Sequence, residues 1–234
     1  MSPKTLTPIR HRGVEKLDIP GVPGSIVKRS LADVARANAL FGGTRAVLAE
    51  LRPVLAAAPE RSLTLLDVGT GAADIPLAAR RVAFRRGIDL TVIGADNSIP
   101  LAVHASRRVN CSVAADALAL PFADRSVDIV VCSQLLHHFT EREIGSVLRE
   151  LQRVARLRVI VSDLRRSWLA AAGIWLASFP LRFHPISRHD GVLSVLRGFT
   201  AAELSAHVVR ATGTVPAVSR RLGWRVTASW TPAP

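Results

Sequence analysis

The chain of 234 residues is poor in cysteine and lysine and has no long apolar run. Its two cysteines, Cys111 and Cys132, lack the spacing of a disulfide framework or a zinc site, which predicts a protein of the reducing cytoplasm. The N-terminal segment MSPKTLTPIRHRG lacks the apolar core of a secretory signal. The longest apolar segment, residues 167–181, is shorter than the ~18–20 residues that cross a bilayer, so we expect no membrane span.

Basic residues outnumber acidic ones by 31 to 18, which gives a formal net charge of +13. A charge of this size is compatible with binding to nucleic acid. However, Lys4, Lys16 and Lys28 are the only lysines, and the arginines are scattered along the chain rather than clustered. A biased base composition of the coding DNA explains the use of arginine in place of lysine, so we do not expect nucleic acid as a partner.

Strand-like and helix-like segments alternate from residue 63 onwards. The strand-like segments are residues 63–68, 90–95, 112–115, 127–132 and 159–162, and helical patterns cover residues 74–86, 98–109, 140–156 and 200–213. The last two helices open with the capping boxes Thr140–Glu143 and Thr200–Glu203. This alternation predicts an α/β fold with a mainly parallel sheet, and residues 214–220 and 224–230 add an antiparallel hairpin at its edge.

The N-terminal quarter is predicted to form an irregular arm followed by two helices. Residues 1–29 are rich in proline and glycine, and Ser30 with Asp33 resembles a helix cap. Gly42 and Gly43 divide the helical pattern of residues 30–55. We therefore predict an arm with lid helices over residues 1–62 and a core over residues 63–234, with a cap insert at about 165–199. A monomer or a homodimer is expected.

The segment LLDVGTGAADIP, residues 65–76, predicts a strand that turns tightly into a helix over a nucleotide. A dinucleotide site has a third glycine where this chain has Asp74, whose carboxylate would repel a pyrophosphate at the helix N-terminus. A P-loop is excluded because no Gly-Lys-Ser/Thr follows. The loop therefore suits a nucleoside without phosphates.

Three acids, Asp67, Asp96 and Asp116, follow three successive strand-like segments. The carboxyl ends of parallel strands share one edge of a sheet, where ligands bind. One acid there can accept hydrogen bonds from the ribose hydroxyls, and another can accept one from the adenine amine. A third can help to hold an amino group. Together they fit S-adenosylmethionine, although each acid could also serve only as a turn or helix cap.

Residues 63–164 resemble the class I S-adenosylmethionine-dependent methyltransferases, in particular the branch of ubiquinone and menaquinone methyltransferases. The segments LLDVGTGAADIP, VIGADNS, AADALALPFADRSVDIVVCSQLLHHF and RVIVSDL carry the resemblance. It implies a Rossmann-like fold with a seven-stranded, mainly parallel sheet, and S-adenosylmethionine as cofactor. The positions that match cofactor-binding residues of the family are Asp67, Gly69, Gly71, Ala73, Asp96, Asn97, Asp116, Ala117 and Ser133.

The acceptor is predicted to be a small hydrophobic molecule, because the segments that flank the cofactor edge, residues 31–55 and 168–181, are apolar. It would carry a hydroxyl or carboxyl group on an aromatic, polyketide-like or lipid-like skeleton. His137, His138 and His189 are candidates for the base that a phenol would need. The segment RHDGVLSVLRGFTAAEL resembles methyltransferases encoded beside polyketide synthases, which implies secondary metabolism. No second acid follows the fourth strand, so no metal is expected.

Two other functions are compatible with the cofactor motifs. The first is an RNA or DNA methyltransferase, but amino-directed enzymes of that kind carry Asn/Asp-Pro-Pro-aromatic after strand four, where this chain has SQLLHHF. The second is a non-catalytic cofactor-binding protein, which the intact acids and the histidine pair disfavour.

Overall fold

The computed structural model describes residues 7–19 and 21–233. Within them, seven strands form one sheet in the order β3-β2-β1-β4-β5-β7-β6. β1 to β5 are parallel, whereas β7 pairs antiparallel with both β5 and β6. This confirms the predicted sheet with its antiparallel edge hairpin. The strands are β1 (Ser62–Val68), β2 (Asp89–Asp96), β3 (Cys111–Ala114), β4 (Val127–Ser133), β5 (Ala155–Leu164), β6 (Ala217–Arg221) and β7 (Arg225–Trp230).

Helices cover both faces of the sheet. They are α1 (Gly24–Leu40), α2 (Gly43–Ala57), α3 (Asp74–Phe84), α4 (Ile99–Ser106), α5 (Glu141–Val154), α6 (Trp168–Ala177), α7 (Pro185–Arg197) and α8 (Ala201–Thr212), with short 3-10 turns at Lys16–Asp18 and Leu136–His138. Both predicted capping boxes form at the starts of α5 and α8. Each fixes a helix start and satisfies amides that would otherwise lack partners.

The core lies on both sides of β4, whose seven residues are all buried. The apolar stripe of α5, including Ile144, Val147, Leu148 and Leu151, is fully buried against one face, and α2 and α3 pack on the other. Burial of each such aliphatic side chain contributes about 1.5–3 kcal/mol to folding. This packing fixes the carboxyl edge of the sheet, where the site lies.

The predicted start of the first helix is wrong. α1 begins at Gly24, and Ser30 and Asp33 lie in its interior, buried. The Ser187 hydroxyl donates to that of Ser30 at 3.0 Å, and the backbone N–H of His184 donates to Asp33 at 2.9 Å. Ser30 and Asp33 therefore make contacts between α1 and the α7 region and do not cap a helix. Gly42, with φ of +78°, separates α1 from α2 as predicted.

The N-terminal arm lies along α7 over residues 7–19. The backbone N–H of His11 donates to the carbonyl of Leu196 at 3.0 Å. The buried carboxylate of Asp190 accepts from the backbone N–H groups of Lys16 (2.9 Å) and Leu17 (3.1 Å). Residues 1–6, in the predicted irregular arm, lie outside the described residues. In the part of the chain that the structure describes, no helix has both the length and the apolarity to cross a membrane.

Candidate active site

A tight loop joins β1 to α3 at the carboxyl edge of the sheet. Gly69, Gly71 and Ala73 all adopt left-handed backbone conformations, with φ of +76°, +48° and +55°. Glycine adopts this region without strain, whereas alanine pays about 1–2 kcal/mol. A Cβ on Gly69 would come within 3.0 Å of the Leu135 side chain. The loop therefore needs glycine at position 69 for space as well as for conformation.

Asp96, at the end of β2, fixes this loop. One of its carboxylate oxygens accepts from the backbone N–H of Gly71 at 2.9 Å, and the other accepts from Ser98 at 3.0 Å. The structure thus joins Gly71 and Asp96, which are 25 residues apart in sequence. Burial raises the pKa of Asp96. The neighbouring Asn97 is exposed.

Asp67, near the end of β1, is a buried carboxyl group. Burial raises its pKa to about 7, and the negative charges of Asp74 and Asp96 contribute in the same direction. Within the described residues, no basic side chain lies within 4.0 Å of it. A cationic group of a ligand would supply the missing charge.

The remaining predicted cofactor positions lie along the same edge. Asp116 is exposed two residues beyond Ala114, the β3 partner of Asp96, and its carboxylate accepts from the backbone N–H of Leu118 at 2.9 Å. Ala117 beside it is buried. The buried hydroxyl of Ser133, at the end of β4, has no hydrogen-bond partner among the described residues. Because such groups are normally satisfied, this orphan hydroxyl fits a polar ligand group.

The three predicted histidines have different surroundings. His137 is buried, with Nδ1 2.7 Å from Asp163 Oδ1 and Nε2 3.5 Å from Glu15 Oε1. Burial alone would lower its pKa, but the carboxylates of Asp163 and Glu15 raise it to about 9. His138 Nδ1 lies 2.9 Å from Asp18, and the exposed His189 has Nδ1 2.8 Å from Asp190.

Glu15, His137 and His138 place three ligand-type atoms within 4.8 Å of one another. A transition-metal ion prefers such donors. However, the pKa of His137 is raised to about 9, so its imidazole is protonated at neutral pH and offers no lone pair to a metal, and the Arg197 guanidinium lies 3.9 Å from Glu15. These contacts explain the cluster as a network of ion pairs around the arm.

A cavity of about 230 Å³ lies beside the carboxyl edge of the sheet, with a mostly apolar lining. α1, α6 and α7 form its walls, and polar groups line it at several points. In the described part of the chain, none of the three predicted histidines lines it. Its polar and charged lining residues are Glu15, Asp33, Gln134, Ser187, Asp190, Ser194 and Arg225.

Arg225, which the sequence did not identify, and Gln134, which follows the fourth strand beside Ser133, lie at the sheet end of this cavity. Arg225 is buried, and burial lowers its pKa to about 10, so it stays charged at neutral pH. Its Nη1 donates to Gln134 Oε1 at 2.6 Å; the Gln134 amide donates to Asn38, which in turn donates to Asp74 at 3.2 Å. This chain of hydrogen bonds joins the cavity to the start of α3. Gln134 directly follows β4, in the segment SQLLHHF, and has a φ of +55°. No sequence pattern pointed to Arg225.

The sheet order, the glycine loop and the acids at the carboxyl edge define a Rossmann-like methyltransferase fold. The sequence matches the family described as methyltransferase domain over residues 66–161. A demethylmenaquinone methyltransferase from Roseiflexus sp. (strain RS-1) is 32% identical over 184 residues, which cover 73% of this chain and 75% of the relative. The chain therefore belongs to the class I S-adenosylmethionine-dependent methyltransferases, in the branch that contains the menaquinone methyltransferases.

Solved structures have the same fold. A SAM-dependent methyltransferase from Aquifex aeolicus superposes with a TM-score of 0.61 at 19% identity, covering 91% of this chain and 100% of that chain. Magnesium protoporphyrin IX methyltransferase from Synechocystis PCC 6803 with bound SAH has a TM-score of 0.55 at 15% identity, covering 82% and 84%. The predicted enzyme class and its cofactor, S-adenosylmethionine, are thus confirmed.

Proposed function

We propose that this enzyme methylates an oxygen of a small hydrophobic acceptor, either an aromatic, polyketide-like or lipid-like hydroxyl or a carboxyl. The observation that carries the proposal is the apolar cavity with the buried Arg225 guanidinium at its sheet end. An apolar cavity with few polar groups is typical of small-molecule sites. The name of the Roseiflexus relative, a demethylmenaquinone methyltransferase, supports a quinone-like aromatic acceptor.

The cofactor is proposed to lie along the loop and strand ends, where its sulfonium supplies an activated methyl group. Asp96 would accept from the ribose hydroxyls and Asp116 from the adenine amine, with Asn97 and Ala117 beside them. Asp67 and Ser133 would lie near the amino-acid part, since the buried carboxyl lacks a cation and the hydroxyl lacks a partner. The loop residues Gly69, Gly71 and Ala73 give the cofactor close access to the backbone.

Methyl transfer needs the acceptor oxygen close to the methyl group and in line with it, and it needs water excluded. We propose that α1, α6 and α7 provide the exclusion, as the lid that the sequence predicts. Arg225 would stabilise an ionised acceptor oxygen because its charge lies in a largely apolar cavity, where electrostatic interactions are strong. Gln134 holds the guanidinium in place.

A phenolic acceptor must also lose its proton. Glu15 lines the cavity, and its Oε1 lies 3.5 Å from His137 Nε2. Burial alone would raise the pKa of Glu15, but His137 lowers it to about 2, so Glu15 would pass the proton on to the neutral form of His137 rather than retain it. We therefore propose His137 as the base among the three predicted histidines. His138 contacts the same carboxylate at a longer distance, 3.9 Å. His189 pairs with another lining carboxylate, Asp190, whose two oxygens already accept from two backbone N–H groups of the N-terminal arm.

The test is methyl transfer from radiolabelled S-adenosylmethionine to a panel of alkylated phenols, hydroxyquinones, aromatic carboxylic acids and transfer RNA. The proposal expects label in an apolar phenol, hydroxyquinone or carboxylic acid and none in RNA. Label in RNA would support the nucleic-acid alternative. Tight cofactor binding without transfer to any acceptor in the panel would favour a non-catalytic cofactor-binding protein.

A further inference from the structure

α6 and the turn after it expose large apolar side chains. The exposed fractions are 53% for Trp168, 55% for Leu169, 48% for Trp175, 60% for Leu176 and 46% for Phe179. We call these five residues the α6 apolar face. Monomeric proteins rarely expose so many neighbouring large apolar residues unless the surface binds something.

This face is distinct from the side of α6 that serves the enzyme. Ala170, Gly173 and Ile174 line the cavity, and Ala170 and Ala171 are buried. The helix is therefore apolar all around, with one side at the cavity and the other at the surface. Contact with the core and the cavity explains why the first side is apolar. Nothing in the described residues explains why the second side is apolar.

Positive charge borders the α6 apolar face. No acidic residue occurs from position 164 to position 189. The guanidinium of Arg188 lies 3.8 Å from the centre of the Phe179 ring. Arg36 and Arg29 donate to the carbonyls of Leu181 and Arg182, at 2.8 Å each, in the turn that follows α6. Guanidinium groups thus lie at the edge of the apolar surface.

A second copy of the chain is a poor occupant of this face, because two molecules of net charge +13 repel each other. RNA fits less well, because it has no apolar region to cover Leu169 and Leu176, which lie beside the aromatic side chains. An anionic bilayer matches both features, since tryptophan, leucine and phenylalanine enter the interfacial region while arginines pair with lipid phosphates. α6 has ten residues and is about 15 Å long, so it would lie in the plane of the interface.

We propose that the α6 apolar face docks on anionic phospholipid membranes. Arg36, Arg182 and Arg188 contribute the attraction to the headgroups, whereas Arg29 is paired with the buried Asp33 at 3.7 Å. The apolar side chains contribute the insertion. The cavity then lies on the inner side of the docked helix. If the proposed function holds, docking gives a lipid-dissolved acceptor a short path to the cavity.

Flotation with vesicles tests this proposal on the full chain without cofactor. In about 150 mM salt we expect vesicles of phosphatidylcholine with phosphatidylglycerol to bind the protein at least about tenfold more strongly than phosphatidylcholine alone, given ~1 kcal/mol per basic residue. The double variant Trp168→Ser/Trp175→Ser should lose most of this binding. A matched double variant, Phe84→Ser/Val215→Ser, removes two other exposed apolar side chains and should bind like the wild type.

Three results would overturn the proposal. They are equal vesicle binding by both double variants, absence of wild-type binding to anionic vesicles, and concentration-dependent dimerisation that the Trp168→Ser/Trp175→Ser variant abolishes. Methylation of a water-soluble acceptor should be unchanged in that variant, because neither tryptophan lines the cavity. Vesicle binding does not depend on methyl transfer, so failure of the proposed function is separately visible.

Discussion

Arg225 Nη1 donates a hydrogen bond of 2.6 Å to the side-chain oxygen of Gln134. Arg225 begins β7 and Gln134 directly follows β4, so this bond joins two strands that are not neighbours in the sheet. It holds a buried positive charge at the sheet end of an apolar cavity. A charge in that position would favour the proposed acceptor, which reacts through an anionic oxygen.

Replacement of Arg225 by glutamine should impair poorly acidic acceptors most. Loss of the charge removes the stabilisation of the oxyanion, so turnover of a phenol with pKa near 10 should fall by about 10²-fold or more. An electron-poor phenol, ionised at the assay pH, should lose much less. The measurement is kcat/KM against phenol pKa, with Arg165→Gln, directly after the neighbouring strand β5, as a control. A uniform loss across the series would indicate a structural role only.

His137→Ala should lower turnover of a neutral phenol by about 10²–10⁴-fold and leave cofactor affinity intact. The base acts in its neutral form, and the pKa of His137 is raised to about 9, so wild-type turnover should rise with pH up to about 9. His137→Gln checks folding without restoring the base, and His189→Ala, at an exposed histidine, should retain activity. A flat pH profile, or wild-type turnover in His137→Ala, would refute histidine base catalysis.

Asp96→Ala should weaken S-adenosylhomocysteine binding by about 30- to 150-fold. The change removes charge-assisted hydrogen bonds worth about 2–3 kcal/mol, and it also frees the Gly71 amide. Calorimetry measures the affinity, and Asp89→Ala, at the exposed opposite end of β2, is the matched control. Unchanged affinity in a folded Asp96→Ala protein would remove this residue from the cofactor site.

Asp67 should make the cofactor-free protein less stable as pH rises. Its pKa is raised in the folded state from 3.8 to about 7, so the folded protein holds a proton that the unfolded chain has lost. Between about pH 4 and pH 7 the stability should therefore fall, by up to about 4 kcal/mol. Denaturant unfolding at several pH values measures it. Asp67→Asn should flatten the dependence of stability on pH. An equally steep fall in that variant would show that a group other than Asp67 causes it.

The sequence predicted the strands, helices and helix caps that depend on local residue patterns. Strand and helix periodicity indicated the sheet, and the spacing of Thr140 and Glu143 predicted a capping box that forms. The same kind of pattern failed at Ser30, where the polar side chain meets Ser187, 157 residues away. Arg225 and Gln134 could not be paired in advance, because the antiparallel return of β7 brings them together over 91 residues. Contacts of such separation leave no periodic signal.

The most direct test of the account is transfer of a ¹³C-methyl group in the wild type and in Gly173→Leu. Gly173 lines the cavity at its exposed side, and a Cβ there meets no atom within 4 Å, so we expect leucine to narrow the cavity without a clash. With wild-type enzyme we expect an O-methyl resonance on an apolar phenol, hydroxyquinone or carboxylic acid. Gly173→Leu should lose that product with unchanged S-adenosylhomocysteine affinity, while Ala172→Leu, on the exposed side of α6, stays active. Full turnover by Gly173→Leu, or a methyl group on carbon or nitrogen, would contradict the proposed function.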